Sequence, residues 1–232
     1  MPSSGPAASQ FDSIEDTVAS FRNGDFIVVL DDLSRENEGD LIIAAQDLNP
    51  EKMAFMIRHT SGLICAPILP SRCDGLNLPQ MVTDNEDPNR TAYTISIDAN
   101  SDLITTGISA QDRALTCNML ATENAEPSDF RRPGHIFPLR ARQGGVRERT
   151  GHTEAALEFC RLADKEPVGA ISEIIEDGTT VVGQAIMSNP GMMRRDGCLA
   201  FGKRWGLKVC TIEDLVSYVE KKEGGLGKIN GS

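Results

Sequence analysis

Residues 26–45 read FIVVLDDLSRENEGDLIIAA. Two short apolar runs, 26–30 and 41–45, flank a segment crowded with charge. Continuous, β-branched runs of that length read as buried strands. Upstream, Ser13 is a plausible cap with Asp16 three residues on; Ile14, Val18 and Phe21 form an apolar stripe, and Gly24 is a stop. Downstream, the spacing predicts a helix over 50–59 and strands over 62–66 and 93–97, with residues 67–90 as loop. A helix beginning at Ser109 and another over 154–163 follow, then strands over 168–175 and 179–186 and at 209–210, and a terminal helix capped by Thr211. Residues 131–149 read as irregular and unusually basic. Helices and strands interleave without a break in composition. That predicts a single α+β (mixed α/β) domain over 13–223, with a mixed, twisted β-sheet flanked by helices in three layers. Residues 1–12 read as a disordered N-terminal tail and 224–232 as a flexible C-terminal one.

The 232 residues carry 23 basic and 34 acidic side chains, a formal net charge of −11. A field of that sign disfavours nucleic acid and anionic membrane as partners. No run of 18 apolar residues predicts a membrane span, and the first ten residues lack the pattern of a secretory signal. The six cysteines are scattered, with no C-x-x-C pair, which predicts reduced thiols and a cytoplasmic location.

Three segments carry candidate chemistry. In the acidic loop, Glu36, Glu38 and Asp40 alternate, so an extended backbone would turn all three to one volume. Carboxylates so close repel unless a cation or a proton intervenes, and their oxygens suit a hard ion. A solvated turn between strands is the alternative. The second segment, Arg149-Thr-Gly-His-Thr153, directly precedes a strong helix. Thr153 fits its N-cap, Gly151 admits a ligand to the backbone, and Arg149 with the free N–H groups of the first turn makes a phosphate cradle. His152 beside it suits metal binding or proton transfer, or is a plain surface residue. In the third, Glu173 stands in an apolar strand, where a carboxylate must be paired, metal-bound or protonated unless it faces outward.

Together, Asp32-x-x-Arg-Glu-Asn-Glu-Gly-Asp-Leu41, Thr106-Gly-Ile-Ser-Ala-x-Asp-Arg113, Arg132-Pro-Gly-His-Ile-Phe-Pro-Leu139, Arg149-x-Gly-His-Thr-Glu-Ala155 and the Glu173 strand resemble the 3,4-dihydroxy-2-butanone 4-phosphate synthase family of riboflavin biosynthesis. Ser172 stands where many members of that family carry cysteine. The resemblance implies a lyase that turns D-ribulose 5-phosphate into 3,4-dihydroxy-2-butanone 4-phosphate and formate, using Mg²⁺ or alternatively Mn²⁺, with two ions per site. It implies Glu36 and His152 as metal ligands and Arg35, Glu36, Asp40, Arg149, Thr150, Gly151, His152, Thr153 and Glu173 as substrate contacts. His135 and Glu173 are implied as catalytic, and Asp40 or Glu38 is expected to take the first proton. It also implies a homodimer with active sites at the subunit boundary.

Overall fold

The computed structural model describes residues 10–224. Helix α1 (Ile14–Arg22) leads into β1 (Ile27–Leu30) and, across the acidic loop, β2 (Gly39–Ala44). Next come α2 (Pro50–His59), β3 (Cys65–Ile68), the short α3 (Pro70–Gly75), β4 (Ile97–Ala99), α4 (Ala110–Leu120) and β5 (Phe130–Arg140). The chain continues through α5 (His152–Leu162), β6 (Gly169–Glu173), the small pair β7 (Ile175–Glu176) and β8 (Gly191–Met192), α6 (Arg195–Trp205), β9 (Lys208–Thr211) and α7 (Ile212–Glu223). Three of the expected caps are in place. The hydroxyls of Ser13, Ser109 and Thr211 accept the N–H groups of Asp16, Asp112 and Asp214 at 3.1, 3.0 and 3.0 Å, satisfying donors that the first helical turn leaves free.

Seven strands form one sheet in the order β4-β5-β3-β6-β2-β1-β9. It is mixed: β1 lies parallel to β9 and β3 to β5, whereas β2 is antiparallel to both β1 and β6. Side chains alternate across a strand, so β1 feeds two cores. Val28 and Leu30 join Met53 and Met56 of α2, Leu120 of α4 and Phe201 of α6, while Ile27 and Val29 join Phe21 of α1, Phe159 of α5 and Leu215 of α7. The sheet is the middle of the three expected layers, and each fully buried aliphatic or aromatic side chain contributes about 1.5–3 kcal/mol.

Several expectations need correction. The basic segment read as irregular contains β5, whose 11 residues make it the longest strand. Pro133, Gly134 and Pro138 hid it, because prolines lack the ladder donor and are ordinarily confined to edges and bulges. In place of the strand over 93–97, pairing with β5 runs over Ile97–Ala99, and Tyr93 and Thr94 make only isolated bridges. The strand expected over 179–186 is a loop held by a Thr179–Ser188 bridge, with Val182 98% and Ile186 78% exposed; apolar composition there does not mean burial. Helices α3 and α6 were not anticipated. The glycines and basic residues of α6 blur its stripe, although Cys198 and Phe201 are buried. Of the residues read as an N-terminal tail, Asp12 is tied to the sheet, for its carboxylate accepts Lys208 Nζ at 2.8 Å and the Val209 N–H at 2.9 Å. Residues 1–9 and 225–232, read as tails, lie outside the described residues.

Asp112, only 1% exposed, ties the loop before α4 to that helix. It accepts the Thr105 N–H and hydroxyl at 3.1 and 2.7 Å and the Gly107 N–H at 3.0 Å. Burial acts to raise its pKa, but these donors prevail and hold it at about 2. A folded-state pKa below the unfolded value stabilises at neutral pH, and that contribution is lost as pH falls through about 2. Asp112→Ala is therefore expected to cost about 1–3 kcal/mol at neutral pH, a penalty that shrinks in acid. Urea unfolding across pH measures it; a variant as stable as the parent at neutral pH would contradict the assignment.

Candidate metal and anion site

The acidic loop does not leave β1 extended. Residues 33–36 form a turn, Asn37 takes φ 53°, and the Asp31 carboxylate accepts the N–H groups of Glu36 at 3.0 Å and Glu38 at 2.9 Å. The turn breaks the alternation that would have gathered three carboxylates. Glu36 and Asp40 converge, while Glu38 faces Arg194 at 3.5 Å and does not line the pocket. Burial pushes the Glu38 carboxyl up, against the pull of Arg194.

Asp40 is the second residue of β2 and pairs in register with Glu173 at the end of β6. Gly151 caps α5, whose first residue is His152, so the helix begins before Thr153 rather than after it, and Thr153 makes no side-chain cap bond. The His152 Nε2–H donates to the Val29 carbonyl at 3.0 Å. A carbonyl only accepts, so the ring's Nδ1 is the atom that faces Asp40 Oδ1 at 3.6 Å and Glu36 Oε2 at 3.8 Å. Asp40 Oδ1 is buried without a hydrogen-bond partner.

The electrostatics follow from this crowding. Burial raises the Asp40 carboxyl; His152 opposes, Glu173, Glu36 and Asp31 add to the rise, and the group stands at about 7. Burial lowers His152, but the charges of Asp40, Glu36 and Asp31 more than offset it and lift the imidazole to about 9. His152 holds Glu36 below its ordinary range as an ion-pair partner, since 3.8 Å is too long for a hydrogen bond; burial opposes and Arg35 assists. Asp31, Glu36 and His152 each offer an atom within 4.8 Å of the others. Both oxygens of Asp31 already accept loop N–H groups, so Asp31 shapes the loop and Glu36 Oε2 and His152 Nδ1 remain as the donor atoms. One imidazole nitrogen, carboxylate oxygens and an orphaned buried Asp40 oxygen suit a hard divalent ion. The residues fit Mg²⁺.

Beside this cluster lies an anion cradle. A Cβ on Gly151 would stand 2.3 Å from Arg149 Nη1 and 3.1 Å from Arg35 Nη2, so the absent side chain lets two guanidiniums meet the start of α5. Arg149 is held by Glu154 at 2.6 Å, by the Asn89 carbonyl at 3.2 Å and by Thr91 Oγ1 at 3.1 Å. Arg35, Glu36, Asp40, Arg149, His152, Thr153 and Glu173 line one pocket of about 90 Å³. Among the expected residues, exposed Thr150 is not in its lining. Nor is His135, which bonds Asp98 on the sheet edge. Sequence reasoning missed Asp31, Asn89 and Glu154. Asn89 donates to Glu36 Oε1 at 2.6 Å from a segment that had read only as loop.

Fold and site define an α+β protein with a pocket whose residues could hold a divalent cation beside an anion. Residues 15–218 match the family profile of 3,4-dihydroxy-2-butanone 4-phosphate synthase, and the chain belongs to that family. A synthase of this name from Pyricularia oryzae is 62% identical over 224 residues, covering 97% of this chain and 96% of that protein. One from Schizosaccharomyces pombe is 54% identical over 212 residues, 90% and 97% of the two chains. A crystal structure of a 3,4-dihydroxy-2-butanone 4-phosphate synthase in complex with two magnesium ions superposes with a TM-score of 0.91 at 63% identity, covering 93% of this chain and 100% of that one. A cation-free form gives 0.87 at 62% identity over 92% and 100%.

An ion held by His152 would have to displace its proton below about pH 9, so divalent-ion affinity is expected to rise with pH up to that value. Mn²⁺ titrations followed by electron paramagnetic resonance and calorimetry should show proton release and a loss of about tenfold or more in Glu36→Gln and His152→Asn. Affinity unchanged by either substitution would place the ion elsewhere.

Proposed function

We propose that the protein converts D-ribulose 5-phosphate to 3,4-dihydroxy-2-butanone 4-phosphate and formate, as a lyase of riboflavin biosynthesis. The meeting of Glu36, Asp40 and His152 with the Arg35 and Arg149 guanidiniums in one pocket carries this reading. Glu36 and His152 would hold Mg²⁺, or Mn²⁺ in its place, with a second ion on Glu36. Bound there, the dication supplies Lewis-acid stabilisation of the negative charge that develops next to the substrate carbonyl. The remaining work belongs to side chains. Arg35, Arg149 and the first N–H groups of α5 hold the phosphate, and Thr150 joins them from the rim. A fixed phosphate orients the reacting carbons, an entropic contribution to rate.

The reaction requires enolisation, loss of the C1 hydroxyl as water, skeletal migration and release of C4 as formate. Asp40, buried in the pocket against His152 and cross-strand from Glu173, is placed to take the first proton, and Glu38, turned towards Arg194, is not the base. Glu173, cross-strand from Asp40 and bonded by the Ser61 hydroxyl at 2.8 Å, serves later transfers. His135 is the other catalytic group, and it enters the pocket of a second copy in a homodimer. Exposed Leu103 (66%) and Ile108 (51%) lie in the segment that leads to α4, near the His135 edge, and offer that dimer an apolar surface. No described helix is long and apolar enough to cross a membrane. The buried, unpaired thiols support a cytoplasmic location, and the net charge of −11 disfavours nucleic acid.

Incubation with ribulose 5-phosphate and Mg²⁺ is expected to release one formate per turnover, lost on chelation and restored by Mg²⁺. Formate release that survives thorough chelation, or isomerised sugar without formate, would refute the assignment. Glu173→Gln and His135→Ala are each expected to lose about 10²–10⁴-fold in kcat. If sites are shared between subunits, mixing the two inactive variants restores part of the activity; no recovery after verified subunit exchange would put both groups in one chain's site.

A further inference from the structure

The edge of the sheet carries an organised pair that the pocket does not explain. Along β4 and β5 the register shifts: Ile97 faces Ile136, whereas Asp98 faces Arg131. The surplus residues of β5 bulge, and a bulge re-aims side chains. A Cβ on Gly134 would stand 2.0 Å from the Ile97 carbonyl carbon, so only glycine permits this path. His135 is thereby presented to Asp98 twice. Asp98 Oδ1 accepts the backbone N–H of His135 at 2.8 Å, and Asp98 Oδ2 meets the ring Nδ1 at 2.8 Å.

A second loop closes over the contact. A Cβ on Gly107 would lie 2.1 Å from Asp98 Oδ2 and 2.6 Å from His135 Nδ1. Gly107 is held there by its N–H bond to Asp112. The imidazole is gripped along its Nδ1 edge, yet 41% of the side chain remains exposed. A histidine that packs for stability alone does not need one edge locked and the rest of the ring left open.

We propose that Asp98 is the positioning residue of His135. Its carboxylate fixes the proton on Nδ1 and leaves Nε2 as the atom that takes a proton and returns it. For the reaction this rests on the catalytic reading of His135 given above; for the tautomer it rests on geometry alone.

The two contacts make a sharp test of Asp98→Asn. The backbone N–H of His135 must meet an oxygen, so the asparagine carbonyl is confined to the Oδ1 position. Its NH₂ then faces Nδ1, which can only accept, and the ring proton is driven to Nε2. The chain has three histidines, so ¹⁵N-histidine spectra in alkaline buffer, where a free imidazole is neutral, resolve the ring, with His135→Ala identifying its signals.

The expected result is an Nδ1-protonated ring in the wild type and an Nε2-protonated ring in Asp98→Asn. The variant's kcat on ribulose 5-phosphate should fall about hundredfold or more, with KM close to the wild-type value. An Nε2 proton in the wild type overturns the proposal, and that measurement stands even if the variant fails to fold. A wild-type tautomer or wild-type kcat in Asp98→Asn overturns it as well, provided His135→Ala is inactive. Full turnover in His135→Ala instead overturns the catalytic reading of His135, and with it any part of Asp98 in the reaction, so the two failures are told apart.

Discussion

The structure turns on the burial of Asp40 and His152, 3% and 5% exposed, against each other. The antiparallel register of β2 with β6 sets Asp40 opposite Glu173, and the start of α5 brings His152 onto the same spot. A one-residue slip of β2 would send Asp40 to the other face of the sheet and dissolve the pocket. Apolar burial holds that register: Leu41, Ile42 and Ile43, directly after Asp40, are fully buried and divide between the two cores.

This placement works against stability. Asp31, Glu36 and Asp40 crowd one imidazole, Glu173 adds its charge beside Asp40, and one oxygen of Asp40 has no hydrogen bond. Burying charge is costly unless it is paired, and a single imidazolium is a partial remedy for several carboxylates. A dication is a fuller one. The same arrangement keeps a carboxylate near neutral pKa beside two guanidiniums, so the groups that destabilise the fold locally are those useful for proton transfer. Asn89 and Thr91 add a strap across the pocket, joining Glu36 to Arg149.

Local signals were readable where they were complete within a few residues. Ser13, Ser109 and Thr211 announced their helices because a cap hydroxyl and the N–H group it accepts lie three residues apart. The apolar runs of β1 and β2 announced strands because both faces are covered. Signals that depend on partners were not readable. β5 carries prolines that only its bulged pairing with β4 and offset pairing with β3 can accommodate. The loop over 179–186 has a strand's composition without a neighbouring sheet to bury it.

For the site, residue chemistry alone singled out Glu36, Glu38, Asp40, Arg149, His152 and Glu173, because carboxylates, an imidazole and an arginine beside a helix start have few uses together. Tertiary structure decided which of them meet. The turn pinned by Asp31 swung Glu38 away from its neighbours, the Val29 carbonyl chose which nitrogen of His152 faces the carboxylates, and the β4–β5 bulge carried His135 to the far edge of the sheet. The type of a donor is written in its side chain, whereas its direction is set by backbone groups distant in sequence that no local pattern encodes.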